Sequence, residues 1–578
     1  VTLPIRLAIL AVLLFVALAL AALPRLLPPP SSTTRPVHWR TAGTTVRGAY
    51  HVHSTASDGT GTADEIAAAA ARAGLQFVIL TDHGDGTRPP APPQYRSGVL
   101  VIDAVEINTG LGHVVALGAR VSPYPLAGQP GAVLEDIHRL GGIGIAAHPG
   151  SPRESLQWRD WRAPIDGLEW LNADSEWRDE LVRSIGRMVL TYPLRPAETL
   201  AGMLDRPDAV LARADELTRA ARLVLLAGAD AHARLGFRQQ TDPYREGWHL
   251  KLPAYEAAFK AFSTHVVLDA ALSGDPVRDA DAVIDGVRAG RVFTIIDGIA
   301  TPGGFDFVAT SGGVVARMGD YLGIVKEAVL HVRTAAPAGA SLVVLRDGEP
   351  IFDTTENEAH LTVLQASGAY RIEVYTPGST RRSPIPWLTS NPIYVGLRDA
   401  HARAAARPAR PAGGERRAVP IDAWTGEVSD GSSSRIDAGR SATGAPEFEW
   451  RFGLKGGPIN SQYAAARFPA EPGLAGFDRL NISARADRPT RVWVQLRASS
   501  GDLGERWGRT IYLDEEPRAI EVFFSDLSPL GITSEAAPPL ARIDALLLVV
   551  DTVNTVPGTS GMVRLSEMWF GQSAPATR

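Results

Sequence analysis

Between residues 48 and 232 the chain sets a histidine or an acid at almost every point where a short apolar run meets turn residues. The segments are GAYHVHSTASDG (His51, His53, Asp58), ILTDHGD (Asp82, His83, Asp85), DAVE (Glu106), GHVVALG (His113), IAAHPG (His148) and LAGADAHA (Asp230, His232). Neutral imidazoles and carboxylates are the ligands that borderline divalent ions select. His51 and His53 stand at i and i+2, so on a strand both project from one face and can grip one ion. A single pair of this kind is as often structural. The accumulation is the specific signal: HxH, an aspartate five residues on, TDH, a glutamate, a lone histidine, HP and DAH. Ligands repeated at strand ends converge on one rim of a barrel. The chain has no cysteine, which excludes disulfides, thiolate nucleophiles and cysteine-ligated metals. A net charge of −5 with no basic stripe carries no nucleic-acid signature.

The elements that must position these residues follow from the pattern around them. A chain of 578 residues is too long for one core. Strands are expected at 48–53, 77–82, 99–106, 113–118, 142–147, 167–171 and 222–229, each short, apolar and flanked by turn residues. Helical stretches fall between most of them, at 131–140, 176–190, 208–221 and, most clearly, in GTADEIAAAAARAG, where Thr62 caps, Glu65 follows three residues on and Gly74 stops the helix. Alternating strand and helix argues for an α/β barrel over 45–300. Only a few residues separate Glu106 from His113, too few for a crossover helix, so these strands form an antiparallel hairpin. Glu106 ends one strand and His113 begins the next, so both face one rim.

The remaining chain reads as all-β. Residues 301–397 alternate and turn like a small β-sandwich, 398–418 form an Ala/Pro/Arg linker, and 419–573 read as a jelly-roll-like β-sandwich. At the N-terminus Leu7–Leu23 is an unbroken apolar run within 1–27, followed by a Pro-rich spacer over 28–44. It reads as an uncleaved membrane anchor or as a signal peptide ending at Ala19-Leu20-Ala21. Both place the rest of the chain in the cell envelope, outside the cytoplasm.

In their order and composition these motifs resemble the PHP (polymerase and histidinol phosphatase) superfamily, and with the following sandwich the CehA/McbA-type exported metallohydrolases. The resemblance implies a distorted (β/α)7 barrel holding three divalent ions (Zn, Mn or Fe). It further implies that His51, His53, Glu106 and Asp230 hold one ion, that Asp58, His83 and His232 hold a second, and that Glu106 bridges to a third on His113 and His148. Some members carry histidine where Asp58 stands, which leaves the metal preference there open. Clustered ions lower the pKa of a bridging water and polarise the scissile bond. The activity this implies is hydrolysis of a small phosphoester by a metal-bridging hydroxide. Carbamate or carboxylic ester hydrolysis at the same site, and a binding protein with structural metals, are the alternatives. An amidohydrolase barrel also opens with HxH, but the carboxylated lysine that bridges many of its sites has no counterpart, since the first lysine is Lys251.

Several further residues have two readings. Asp85 either orients a ligand histidine and relays a proton or caps its loop. Arg234 is either a phosphate contact or a solvated surface residue. Trp158, Trp161, Trp170 and Trp177 either line an apolar substrate pocket or cover the barrel's outer helices, the second reading being preferred for Trp170 and Trp177. Glu169 and Asn172 in DGLEWLN fall near the site but have no ligand slot in the family pattern. Trp424, Trp450 and Trp507 are read either as platforms for a glycan or as sandwich core.

Overall fold

The computed structural model describes residues 27–36, 39, 43–178, 182–236, 249–365, 367–377, 384–397, 412–440, 446–458, 461–499 and 504–573. The apolar run Leu7–Leu23 lies outside the described residues, as does most of the linker. No described helix is long and apolar enough to cross a membrane. The chain divides into two compact units: Val1–Gly84, Pro90–Arg120 and Ile137–Ala405 in one, Asp85–Pro89, Val121–Asp136 and Ala406–Arg578 in the other.

The first unit opens with a closed barrel of seven strands. They are β1 (Thr44–Val52), β2 (Phe77–Leu80), β3 (Val99–Asp103, resumed over Val105–Thr109), β4 (Gly112–Leu117), β5 (Ile143–Ala146), β6 (Gly167–Asn172) and β7 (Val224–Ala231). Pairing is parallel from β1 through β2 to β3, antiparallel on both sides of β4, and parallel from β5 through β6 and β7 back to β1. The reversal at β4 is the hairpin that the short 106–113 spacing demands. Alternate residues fill the interior, among them Tyr50, Phe77, Ile79, Leu100, Ile102, Val115 and Leu226. Helix Ala63–Arg72 carries the complete capping box: Thr62 accepts from the Glu65 N–H and Glu65 accepts from the Thr62 N–H. Gly74 then takes the left-handed conformation (φ +74°) that ends it.

The small sandwich is joined to the barrel more intimately than a separate 301–397 domain. Strand Ser263–Leu268 pairs with the first half of β1 and with Val292–Ile295, which pairs in turn with Leu388–Ser390. One sheet of the sandwich therefore continues the barrel's hydrogen bonding, which leaves no raw edge at the junction. The other sheet has four strands in the order Val314–Arg317, Phe305–Ser311, Glu327–Thr334, Glu358–Leu364. Phe305, Leu330, Ile372 and Trp387 fill the space between the sheets.

The second unit is built on two six-stranded antiparallel sheets. The end of the expected linker is itself a strand: Ala412–Ala418 pairs with Ser560–Ser573. Trp424, Trp450 and Trp507 are 6, 0 and 0% exposed and belong to the sandwich core. The glycan-platform reading of these three is therefore corrected: the rings of Trp424 and Trp450 pack against Phe448, Phe452 and Phe468, Trp507 is fully buried with its indole N–H on the Glu535 carbonyl, and none presents a face to a ligand. The unit also binds its own share of the N-terminal chain. Buried Arg491 grips Asp136 through two hydrogen bonds of 3.0 and 2.8 Å, and Asn554 Nδ2 donates to the carbonyls of Pro125 and Ala127.

Candidate metal centre

Each strand of the barrel brings its polar residue to one rim, and the backbone bends to do it. His51 sits at a register break in β1, with φ +63°, so a bulge rather than plain alternation aims its ring. His148 (φ +32°) and Asp230 (φ +44°) also adopt left-handed backbone. For non-glycine residues such conformations cost on the order of 1–3 kcal/mol each and persist only where surrounding structure imposes them.

All nine residues converge. His51 Nε2 and His53 Nε2 are 3.1 Å apart; each lies 3.2 Å from Glu106 Oε2 and 3.4 Å from Asp230 Oδ1. Two ligands about 2.0–2.1 Å from a tetrahedral ion are ~3.3 Å apart, so these four atoms have the spacing of one coordination sphere. Asp58, His83 and His232 gather beside His53, with His232 Nε2 3.3 Å and His83 Nε2 3.8 Å from the Asp58 carboxylate. The other oxygen of Glu106 lies 2.7 Å from His113 Nδ1 and 2.8 Å from His148 Nε2. Glu106 is thus common to more than one ligand group. The donor set fits divalent ions: it is nitrogen and carboxylate throughout, and His83 Nδ1 is buried with no hydrogen-bond partner.

The electrostatics of the rim favour cations. Burial opposes charge on Glu106, yet His51, His113 and His148 hold its carboxyl well below the usual range. Burial likewise opposes charge on Asp230, which His51, His53 and His232 hold well below its ordinary value. Against the opposing effect of burial, Glu106 lifts His148 to about 8, and Asp58 with Asp230 lifts His232 to about 10. Metal-free, the cluster collects protons where ions would bind.

Three residues outside the ligand set hold it in shape. Glu169, 1% exposed, hydrogen-bonds His51 Nδ1, accepts the His148 N–H at 2.7 Å and accepts from Asn172 Nδ2 at 2.8 Å. An acceptor on the far nitrogen fixes the ring's tautomer and turns Nε2 toward the site. Asp82 accepts the Ser54 N–H and the hydroxyls of Ser54 and Ser57, which shapes the loop from His53 to Asp58. Tyr255 Oη donates to the His53 carbonyl at 2.8 Å. None has a place in the ligand pattern; a lone glutamate in the apolar strand DGLEWLN was the available signal for Glu169, since a buried charge needs partners.

Other expectations fare differently. Asp85 caps its own turn, accepting the Thr87 N–H at 3.0 Å and hydroxyl at 2.6 Å, which is the capping alternative. Arg234 Nη1 reaches the Asp58 carbonyl at 3.3 Å, at the edge of the cluster. Trp158 is 1% exposed with its indole N–H on the Asp160 carbonyl, and Trp161 lies under Arg213; their reading as pocket walls is corrected. Trp170 is buried too, and the side chain of Trp177 lies outside the described residues. A cavity does open beside Asp230 and His232, but it is walled by Leu200, Met203, Leu204 and Phe262.

An α/β barrel whose strand ends bring six histidines and three acids together is a candidate metalloprotein. Over 119 residues the chain is 32% identical to the uncharacterized protein MJ1587 of Methanocaldococcus jannaschii, covering 20% of this chain and 68% of that protein. It belongs to the same family as that archaeal protein. No protein-family model matches the chain. A two-domain protein of Bacteroides vulgatus containing a predicted PHP-like metal-dependent phosphoesterase is similar over 63% of this chain and 99% of its own, at 13% identity and TM-score 0.28. The family 11 carbohydrate-binding module of the cellulosomal cellulase Lic26A-Cel5E of Clostridium thermocellum is similar over 28% of this chain and 95% of its own, at 13% identity and TM-score 0.23. Similarity at this level leaves the functional reading to the site itself.

Proposed function

We propose that the protein is a divalent-metal-dependent hydrolase of PHP type acting on phosphoesters. The observation that carries this is the convergence of nine nitrogen and carboxylate groups, five of the histidines lying against Glu106, with distances between them that suit bound ions. Bound divalent ions supply activation of water and polarisation of the scissile bond. The chain's own part is to hold them close together: Glu106 offers one oxygen to His51 and His53 and the other to His113 and His148. Glu169 keeps His51 in the ligating orientation. Arg234, whose Nη1 lies 3.3 Å from the Asp58 carbonyl, is our candidate for the contact to a phosphate oxygen, and the cavity lined by Leu200, Met203 and Phe262 for an apolar part of the substrate. The CehA/McbA-like character and a position in the cell envelope outside the cytoplasm rest on the motif order and on the apolar run Leu7–Leu23.

Metal analysis of purified protein, coupled to a panel of a phosphomonoester, a phosphodiester and an aryl carbamate, tests the proposal. The expected result is up to three ions per chain and phosphoester turnover that chelation abolishes. Carbamate turnover without phosphoester turnover in metal-loaded protein would replace the substrate class; metal-loaded protein that turns over none of the three overturns the hydrolase.

A further inference from the structure

Away from the barrel rim, the exposed face of the small sandwich carries a second meeting of imidazoles. His331 on strand Glu327–Thr334 and His360 on strand Glu358–Leu364 are direct partners in an antiparallel ladder, so their side chains leave the same face. Their Nδ1 atoms are 2.8 Å apart, and the rings meet edge to face at 84°. The far nitrogen of each ring is already engaged. His360 Nε2 lies 3.0 Å from Glu358 Oε1, and His331 Nε2 lies 3.0 Å from Thr310 Oγ1. Glu358 is held in turn by Arg333 Nε at 2.8 Å.

An ionised carboxylate only accepts, so His360 carries its proton on Nε2 and directs the lone pair of Nδ1 at His331. This is the arrangement that orients metal-ligating histidines: an outer acceptor fixes the tautomer and raises the basicity of the ligand nitrogen. Two nitrogens about 2.0–2.1 Å from an ion and at right angles around it lie ~2.9 Å apart, close to the separation found. Burial, His360 and Arg333 all lower the pKa of His331, which favours the neutral, ligating ring. The His360 side chain is 52% exposed, so an ion and its remaining waters can arrive from solvent. None of the nine barrel residues takes part.

We infer that His331 and His360 form a second, surface site for one borderline divalent ion, Cu²⁺ foremost, with water completing the coordination. Imidazole suits copper, and Cu²⁺ heads the first-row affinity order for a given nitrogen site.

Equilibrium dialysis of the full chain against Cu²⁺, with His331→Asn, His360→Asn and the double variant alongside, tests the site. Each single variant, and the double variant equally, is expected to bind one Cu²⁺ per chain fewer than the wild type. Glu358→Gln is expected to weaken that same ion about tenfold through loss of the outer acceptor. Retention on an immobilised Cu²⁺ column, which senses surface histidines and not the buried barrel cluster, is expected to drop in all three Asn variants. Equal stoichiometry and equal retention would overturn the site and leave a hydrogen-bonded pair, with the Thr310 hydroxyl donating to His331 Nε2. A double variant that loses two ions would overturn the sharing of one ion. The barrel's metal content, read in the same samples, reports independently on the proposed hydrolase centre.

Discussion

Two buried charge clusters in the first unit are assembled on opposite principles. Between helix Asp208–Thr218 and strand Gly368–Tyr375, Arg371 makes a bidentate pair with Asp215 through hydrogen bonds of 3.0 and 2.9 Å and also binds Glu373. Glu373 accepts as well from Arg206 at 2.9 Å and from the Tyr375 hydroxyl. Two guanidinium groups face two carboxylates, so the charges balance, although Arg206 Nε is buried without a hydrogen bond. At the barrel rim, six imidazoles and three carboxylates turn their lone pairs inward toward common points, and His83 Nδ1, 3.3 Å from Glu106 Oε2, makes no hydrogen bond. The first cluster is complete as a piece of protein. The second is complete only with something positive in it, protons or ions. Buried charge that does not pair off is costly, so an open cluster, whose lone pairs converge in this way, marks function, whereas a closed one, whose charges pair off, marks architecture.

The largest effect should come from breaking the open cluster at its shared ligand. Glu106→Gln removes the one carboxylate common to several ligand groups. Metal content should fall by at least two ions per chain, and hydrolysis by about 10³-fold or more, the several kcal/mol that metal activation contributes. The same loss should follow acidification, because His148 and His232, lifted to about 8 and about 10, bind protons in competition with ions. Full metal content in Glu106→Gln, measured by plasma emission, would remove Glu106 from the centre of the site.

Breaking the closed cluster should cost stability instead of metal. Arg371→Leu strands Asp215 and Glu373 as buried, half-compensated charges, a change that costs about 3–5 kcal/mol. Urea unfolding should report that loss equally with and without a chelator. A loss that disappears when metal is stripped would mean that the two clusters are energetically one.

Asp297 stands between the two types, a buried carboxylate with one arginine. Arg47 Nη2 donates to Oδ2 at 2.9 Å, while Oδ1 is buried without a partner. Burial pushes its carboxyl up to about 6, against the pull of Arg47 and Ser263. The folded pKa lies above the ordinary 3.8, so the folded chain binds the proton more tightly than the unfolded one. The contribution is therefore fully present below about pH 4 and is lost as pH rises through about 6. Two units correspond to about 3 kcal/mol. Asp297→Asn should flatten that part of the stability–pH curve; an unchanged difference between pH 4 and pH 7 would show that Asp297 titrates normally.

The open cluster was legible in the sequence because its ligands sit in short motifs at strand ends, where residue type, spacing and the 106–113 hairpin all constrain direction. The reversed β4 was legible for the same reason. The union of barrel and small sandwich was not, because it depends on β1 pairing with a strand that begins more than two hundred residues later. The core placement of Trp450 was foreshadowed by EFEWRFGL, where Phe448, Trp450 and Phe452 share the inward period of two. Reading the tryptophans as ligand platforms overlooked that alternation. Glu169 could be placed near the site but given no role, because ligand patterns register what touches the metal and not what orients the ligand.

Glu169 therefore offers the smallest and most discriminating break. Glu169→Gln keeps the shape and a hydrogen-bonding oxygen for the His148 N–H, but replaces a charged acceptor opposite His51 Nδ1 with a neutral amide. Losing such an outer partner typically weakens metal affinity 10–100-fold, about 1.4–2.7 kcal/mol, while leaving all nine ligands in place. The wild-type ion count should return at raised metal concentration, with turnover recovering in step. Glu169→Asp, too short to reach both His51 and the His148 N–H, should not recover as fully. If Glu169→Gln binds metal as tightly as the wild type, His51 is oriented by the bulge in β1 alone, and the strained backbone rather than the buried carboxylate sets the geometry of the rim.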